Sequence, residues 1–228
     1  MRTELPGDSE RSISIVRGVA LDADNASLLR IARELGAVST RALPRRSGLV
    51  EGEGVQRVEA LAEAPRDQFG KPLLSGHHAA FALHSDESFL AQPCRYVLLH
   101  CWRADPEGGG ETVLAERDRI VSLADAETLQ ALRTWRLPYP SGDSVTLDGD
   151  LVRYHRDEIL GCVARRGEAL SAQQSEWMTR FEALFQSAAR RIRLLPGDLL
   201  ILDNHRVLHG RTAFAPGSPR LLKRVRVE

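Results

Sequence analysis

The sequence contains no long apolar run, no excess charge of either sign and few cysteines. No stretch approaches the roughly 20 consecutive apolar residues that a membrane-spanning helix needs. Lysine plus arginine and aspartate plus glutamate both total 31, so no net field attracts nucleic acid or an anionic membrane. Cys94, Cys101 and Cys162 are odd in number and follow no zinc-binding spacing, which indicates reduced thiols. We therefore expect a soluble, cytoplasmic protein without nucleic-acid or membrane partners.

The sequence is instead rich in short apolar segments that are separated by turns. Strands are predicted at residues 12–16, 95–102, 112–114, 150–155, 191–195, 199–202 and 221–227, and helices at 26–35, 125–134 and 171–188. Many short strands with few helices favour a closed or sandwiched antiparallel architecture, although this pattern does not choose among barrels. Since 228 residues contain no repeat and no linker, we expect one domain spanning 1–228. Residues 40–75, rich in proline, glycine and charge, are expected to form either a substrate lid or a plain surface loop.

Three residues have the spacing of a metal site. His84 and Asp86 lie two apart in an extended segment, so both side chains point to the same side and can share one ion. His209 follows an apolar strand and a turn at Asp203-Asn204, a position at the rim of a sheet. Two imidazoles and one carboxylate form the facial triad that holds Fe(II) with open positions for other ligands and O2. A His-x-Asp triplet is also common in solvated turns, so the triad alone decides little.

The order of further motifs gives a resemblance. His84-Ser85-Asp86 is followed by Gly109-Gly110-Glu111-Thr112, by Gly197-Asp198 through Asn204 to His209-Gly210-Arg211-Thr212-Ala213-Phe214, and by Arg224. From about Leu83 to the C-terminus the chain resembles the taurine dioxygenase and clavaminate synthase group of Fe(II)/2-oxoglutarate-dependent oxygenases. The resemblance implies a mainly β fold with flanking helices and a double-stranded β-helix (jelly-roll, cupin-like) core. It also implies that His84, Asp86 and His209 are the catalytic iron ligands.

The same resemblance implies the cosubstrate and the reaction. 2-Oxoglutarate would chelate the iron, and O2 would convert it to succinate and CO2 while a C–H bond of the substrate is hydroxylated. Arg224 would hold the distal carboxylate of 2-oxoglutarate because a guanidinium pairs bidentately with a carboxylate, and Thr112 would add a hydroxyl. Arg220 is a second candidate for the cosubstrate or for an anionic substrate group. Asp86 argues against the halogenating relatives, which carry a small residue there, whereas desaturation and cyclisation stay open alternatives.

Substrate-binding residues are predicted on a strand and a loop. Arg153 and Tyr154 occupy the strand that borders the substrate in relatives, and His77 lies upstream of the triad in a loop. An inward-facing Arg153 would favour an amino acid or another small carboxylate as the substrate. A non-catalytic metal-binding barrel, with no need for Arg224 and Thr112, is the main alternative. The sequence contains no Gly-x-Ser-x-Gly elbow of a serine hydrolase, and it leaves the oligomeric state open.

Overall fold

The computed structural model describes residues 11–41, 50–61 and 76–228. The strands in these ranges are β1 (Ile13–Val16), β2 (Val50–Gly52), β3 (Val55–Glu59), β4 (Phe81–His84), β5 (Tyr96–Arg103), β6 (Thr112–Glu116), β7 (Leu147–Asp148), β8 (Leu151–Val152), β9 (Arg190–Ile192), β10 (Leu199–Asp203), β11 (Val207–Arg211) and β12 (Leu221–Val227). The helices are α1 (Ala26–Leu35), α2 (Arg117–Leu123), α3 (Ala126–Thr134), α4 (Arg156–Arg165) and α5 (Ala172–Ala188).

Two antiparallel sheets form the centre of the fold. The larger sheet has the order β1-β10-β5-β12-β3-β2 and the smaller has the order β4-β11-β6-β9, while β7 and β8 form a separate hairpin. Consecutive neighbours in these sheets are distant in sequence, since β10 lies between β1 and β5. This crossing of the chain between two facing sheets is the jelly-roll arrangement, and it confirms the predicted fold class.

Apolar side chains fill three layers. Leu99, Leu114 and Leu222, which come from both sheets, belong to one cluster between them. On the outer face of the larger sheet, α1 packs on Val225 and its neighbours. On the outer face of the smaller sheet, α2, α3 and α5 form a cluster around Phe181. The helices therefore cover both outer faces, and the space between the sheets holds the remaining inward-facing groups.

The alternation of β12 sends basic side chains to both of its faces. Val225 packs toward α1, whereas Leu222 belongs to the cluster between the sheets. Because side chains alternate along a strand, Arg224 and Arg226 face the space between the sheets, and Lys223 faces outward. All three are buried. Lys223 Nζ donates to Asn25 Oδ1 at 2.7 Å and lies 3.6 Å from the centre of the Trp102 ring.

Some predicted elements differ in extent from the structure. The strand predicted over 150–155 is limited to β8, because the chain turns into α4 directly after it. Within the predicted lid or loop of residues 40–75, the part spanning 50–59 pairs as β2 and β3 at the edge of the larger sheet. Residues 42–49 and 62–75 of that prediction lie outside the described residues. None of the described helices combines the length and the apolar character needed to cross a bilayer.

Candidate metal centre

Two strands of the smaller sheet bring the predicted histidines together. His84 ends β4, and His209 pairs with it directly across the sheet in β11. Asp86 follows two residues later, and its Oδ1 lies 3.5 Å from His84 Nε2 and 3.6 Å from His209 Nε2. One ligand atom from each of the three side chains lies within 4.8 Å of the other two, and all three residues are buried. The structure thus assembles the predicted triad between the sheets.

The pairing of β4 with β11 depends on a glycine between the triad histidine and Arg211. The register shifts between His209 and Arg211, so the strands approach closely at Gly210. A Cβ atom at Gly210 would lie 2.6 Å from the carbonyl oxygen of Phe81. Any side chain there would push β4 away and would separate the two imidazoles.

Both imidazoles direct Nε2 to the centre. His84 Nδ1 donates to the carbonyl oxygen of Ala82 at 2.9 Å, so Nε2 is the ring nitrogen that is directed to the centre. The Phe81 ring stacks on His84 at 4.1 Å and fixes its plane. Burial, together with the neighbouring His84, lowers the pKa of His209 to about 3. At neutral pH the His209 ring is therefore uncharged, the form that binds metal.

Asp86 is ionised because two arginines face it. Burial alone would raise the pKa of its carboxyl, but Arg224 and Arg226 hold that pKa well below its usual range. Arg226 Nε donates to Asp86 Oδ2 at 2.8 Å, and Arg224 Nη1 lies 3.2 Å from the same oxygen. Gln56 Oε1 accepts hydrogen bonds from both arginines, at 3.0 Å from Arg224 Nη2 and 2.8 Å from Arg226 Nη1. Two imidazoles and one carboxylate are a donor set that suits Fe(II).

Asn204 fixes the backbone of the acidic ligand. Its side-chain oxygen accepts from the Asp86 amide at 2.8 Å, and its Nδ2 donates to the carbonyl oxygens of Asp86 and Cys94, both at 3.0 Å. Asn204 is fully buried, so these bonds have no competition from solvent. Glu87, next to Asp86, adopts a left-handed conformation with φ 57° and accepts from the Cys94 amide at 3.0 Å. The segment after β4 is thereby held against the loop at Cys94.

A second cationic group lies deeper between the sheets. Thr112 and Arg220 line one small pocket together with Gly110, Cys101 and Leu222. Arg220 Nε donates to the carbonyl oxygen of Gly110 at 3.2 Å, whereas its buried Nη1 has no hydrogen-bond partner among the described residues. Gly110 has φ 67°, and a Cβ atom there would lie 2.5 Å from Arg220 Cδ. Thr112 therefore lies with Arg220, and the predicted partner of Thr112, Arg224, lies with Asp86 instead.

Phe214 and Arg211 lie next to Arg220. The Phe214 ring lies between two guanidinium groups, 4.9 Å from that of Arg211 and 5.2 Å from that of Arg220. Arg211 Nη2 donates to the carbonyl oxygens of His77 and Ala79 at 2.6 and 2.7 Å. Burial, together with the neighbouring Arg220, lowers the pKa of Arg211 to about 9. The sequence motif around His209 thus places Phe214 against Arg220 and also contributes His209 to the triad.

Comparison with known proteins places this arrangement in a family. The family described as "Taurine catabolism dioxygenase TauD, TfdA family" matches residues 9–226. The chain belongs to this family. L-asparagine oxygenase of Streptomyces coelicolor is 30% identical over 151 residues, covering 62% of this chain and 45% of that protein. Clavaminate synthase 2 of Streptomyces clavuligerus is 28% identical over 161 residues, covering 65% and 48%. The chain spans about half the length of these relatives.

Two solved structures of oxygenases share the fold. Asparagine oxygenase in complex with Fe(II), 3-hydroxyasparagine and succinate has a TM-score of 0.74 at 23% identity, covering 95% of this chain and 74% of that one. The non-heme iron oxygenase OrfP in complex with Fe and α-ketoglutaric acid has a TM-score of 0.66 at 20% identity, covering 96% and 75%. At these identities the likeness concerns the fold, and it agrees with the jelly-roll core described above.

The predicted substrate-binding residues of this TauD/TfdA family member have other contacts in the structure. Arg153, expected to face the pocket, donates through Nη1 to the carbonyl oxygen of Leu90 and through Nη2 to that of Ala91, both at 3.0 Å. Its guanidinium therefore braces the loop that follows Asp86. The Tyr154 hydroxyl donates to Glu182 Oε1 on α5 at 2.6 Å, and its ring belongs to the outer cluster of the smaller sheet.

The third predicted substrate residue, His77, lies beside Arg211. His77 is half-buried, its ring stacks on His78 at 4.2 Å, and its Nδ1 accepts from the Ala79 amide at 3.0 Å. Its carbonyl oxygen is one of the two that accept a hydrogen bond from Arg211 Nη2. Contact of His77 with a substrate stays a prediction.

Sequence reasoning assigned no role to three residues of the centre. Arg226 could have been found, because it lies two positions after Arg224 on a strand and must share its face. Asn204 belongs to the motif before His209, but its hydrogen bonds to Asp86 depend on a turn that the sequence does not specify. Gln56 lies within residues 40–75, the predicted lid or surface loop, and only the pairing of β3 with β12 brings it to the arginines.

Proposed function

We propose that this protein is an Fe(II)- and 2-oxoglutarate-dependent oxygenase that hydroxylates an unactivated C–H bond of a small molecule. The substrate is an amino acid or a related carboxylate, and the coproducts are succinate and CO2. One observation carries the proposal. Two imidazoles and an ionised carboxylate converge in one buried cluster, and a second buried cation, Arg220, lines a pocket with Thr112 and has no partner for its Nη1 among the described residues. A barrel that only binds metal would not need such a cation.

The three triad side chains would hold the metal. His84 and His209 offer Nε2, and Asp86 offers Oδ1, the oxygen that faces both rings. Bound Fe(II) would supply the O2-dependent oxidation of the C–H bond, coupled to decarboxylation of 2-oxoglutarate. The chain itself contributes position and exclusion of water, since all three ligands are buried.

Thr112 and Arg220 are the residues that we assign to the distal carboxylate of 2-oxoglutarate. Arg220 is buried, and its guanidinium lies in the pocket that Thr112 also lines. Burial lowers the pKa of Arg220 to about 10, so it still carries its charge at neutral pH. A carboxylate that accepted from Nη1 would pair this buried charge, which is costly to leave alone. This assignment exchanges the roles that the sequence suggested for Arg220 and Arg224.

Arg224 then lies at the metal centre rather than in the pocket of Arg220. Its Nη1 lies 3.2 Å from Asp86 Oδ2, and Gln56 holds the rest of its guanidinium. A cation at this place suits the carboxylate of an amino acid substrate. Support for an amino acid comes from the relatives, since L-asparagine oxygenase and L-lysine 3-hydroxylase are both named for amino acids.

Three further expectations, on the domain, the cellular location and the partner, also belong to this proposal. We propose that residues 1–228 form one oxygenase domain, supported by a family match over residues 9–226. We propose a cytoplasmic location, supported by three buried cysteines that form no disulfide. We also propose that the partner is a small molecule rather than nucleic acid, supported by the zero net charge.

The proposal is tested by anaerobic titration of the metal-free protein with Fe(II) and then with a 2-oxo acid, following the visible absorbance of the chelate. 2-Oxoglutarate and 2-oxobutyrate share the chelating group, but only 2-oxoglutarate has a distal carboxylate. We expect the wild type to prefer 2-oxoglutarate strongly. Arg220→Met should lower that preference by about 30- to 140-fold, because it removes a buried charged hydrogen bond of roughly 2–3 kcal/mol.

Three variants control the titration. Arg224→Met should weaken both acids alike and keep the preference, and Asp86→Ala should abolish the absorbance with either acid. Arg190→Met, which removes an exposed arginine of β9, should change neither. Wild-type protein without any absorbance change would identify a non-catalytic barrel. A preference that collapses in Arg224→Met and persists in Arg220→Met would restore the original assignment of Arg224.

A further inference from the structure

The two carboxylate oxygens of Asp86 have different surroundings. Oδ1 faces the two imidazole Nε2 atoms at 3.5 and 3.6 Å. Oδ2 accepts from Arg226 Nε at 2.8 Å, the shortest contact that either oxygen makes with a charged donor. Oδ1 has one longer charged donor, Arg224 Nη1 at 3.4 Å, and is directed to the metal position, whereas Oδ2 is held by Arg226 Nε at 2.8 Å with Arg224 Nη1 at 3.2 Å.

Arg226 is itself fixed in this orientation. Its Nη1 donates to Gln56 Oε1 at 2.8 Å, and its Nε also lies 3.9 Å from Glu87 Oε1. Gln56 lies on β3, and Arg226 lies on the neighbouring β12. The arginine is buried between the sheets, where a change of rotamer would leave its charge without a partner.

We infer that Arg226 is a positioning residue that limits Asp86 to binding the metal through Oδ1 alone. The inference rests on the proposed function, since it takes His84, Asp86 and His209 as the Fe(II) ligands. A carboxylate can bind a metal through one oxygen or through both, and the second mode would occupy a position that the cosubstrate needs. By donating to Oδ2, Arg226 keeps that position open. Hydrogen-bonded partners of metal ligands commonly act in this way.

The inference predicts an unusual pattern in a variant that lacks the donor. In Arg226→Met, Oδ2 loses its shortest donor and keeps only Arg224 Nη1 at 3.2 Å, so it can turn to join Oδ1 on the metal, and one cation near the metal is gone. Binding of Mn(II) alone should therefore not weaken, whereas binding of 2-oxoglutarate to the Mn(II)-loaded protein should fall by about 10-fold or more. A merely structural role would weaken both. Mn(II) is the probe because it does not turn over with O2.

Arg226→Gln separates the hydrogen bond from the charge. The glutamine Nε2 occupies the same place along the side chain as the arginine Nε, so it can still donate to Asp86 Oδ2, although it is neutral. Glutamine and methionine have similar length. We expect Arg226→Gln to keep 2-oxoglutarate affinity within about 3-fold of the wild type. Equal losses in the Gln and Met variants would assign the effect to charge and would overturn the inference, as would an unchanged Met variant.

Infrared difference spectroscopy reads the binding mode directly. The splitting between the two carboxylate stretches is wide when one oxygen binds a metal and narrow when both do. With labelled aspartate, Mn(II) should give a wide splitting for Asp86 in the wild type and in Arg226→Gln, and a narrow one in Arg226→Met. A narrow splitting in the wild type would overturn the inference even if the Met variant failed to fold. A wild type that binds no Mn(II) through Asp86 would overturn the proposed function, and the inference with it.

Discussion

Replacement of Asn204 by alanine tests whether one buried amide holds the acidic ligand in place. The amide makes three hydrogen bonds to backbone groups, to the Asp86 N–H and to the carbonyl oxygens of Asp86 and Cys94, at 2.8 to 3.0 Å. Alanine would leave all three groups buried without a partner. Each such group costs about 1–3 kcal/mol, and water entering the new cavity would recover a part of that cost. We therefore expect unfolding free energy to fall by about 3–5 kcal/mol.

The measurement is urea denaturation of the metal-free protein, with the affinity for Mn(II) measured beside it. Because Asp86 loses its backbone anchor, we expect Mn(II) affinity to fall by about 10-fold or more. Asn204→Asp should be comparably harmful, because it keeps the shape and turns two donors into an acceptor that faces two carbonyl oxygens. Gln186→Ala, which truncates an exposed amide on α5, should change stability by less than about 0.5 kcal/mol. An Asn204→Ala protein within about 1 kcal/mol of the wild type, with normal Mn(II) affinity, would refute the reasoning.

Three further predictions concern the pocket, the outer cluster and pH. Gly110→Ala should lower 2-oxoglutarate affinity by about 10-fold, because the added Cβ atom collides with Arg220. Gly217, with φ 78°, is the control, because a Cβ atom there would have no other atom within 4 Å. Gly217→Ala should only lower the unfolding free energy by about 1 kcal/mol through backbone strain. Tyr154→Phe should lower the unfolding free energy by about 1–2 kcal/mol through its lost hydrogen bond to α5, while a change in substrate or 2-oxoglutarate affinity would contradict the buried outer position. The pKa of His209 is about 3 in the folded protein and 6.5 for an unperturbed histidine. Between pH 6.5 and about pH 3, only the unfolded chain therefore binds this proton, and the unfolding free energy falls as pH decreases. In denaturation of the metal-free protein, the unfolding free energy should change with pH more steeply than in His209→Gln, by about 1.4 kcal/mol per pH unit. Equal pH dependence in the two proteins would contradict the shifted pKa.

The elements that could be predicted from the sequence are those that carry their own signals. Ser171 and Gln174 form the capping box that begins α5, as the sequence predicted. The helices α2 and α4 were not predicted, and the structure shows why. At the start of α2, Glu116 makes no side-chain capping bond, because the helix continues directly from β6. The N-cap of α4 is His155, a residue that is not among the usual capping types.

The candidate site was predictable at the level of residue types, and less so at the level of partners. His84 and Asp86 follow from the period of a strand, and His209 follows from its motif. Thr112 lies with Arg220 rather than with Arg224, and this depends on how the start of β12 pairs with β5. At that point the register shifts between Leu221 and Leu222. Spacing along one strand gives no information about such a shift, since it depends on both strands.

The basic residues of β12 show how far the surroundings decide the role of a charge. Lys223, Arg224 and Arg226 are close in sequence and would ordinarily indicate a solvated face, yet all three are buried. Lys223 is stabilised on the outer side by Asn25 and by the ring of Trp102, whereas the arginines meet the carboxylate of Asp86 on the inner side. A slip of one residue in the pairing of β12 would exchange these faces and would leave Asp86 opposite one cation instead of two. The register of this last strand therefore determines the charge at the metal centre, and it does so through contacts that no single segment of the sequence contains.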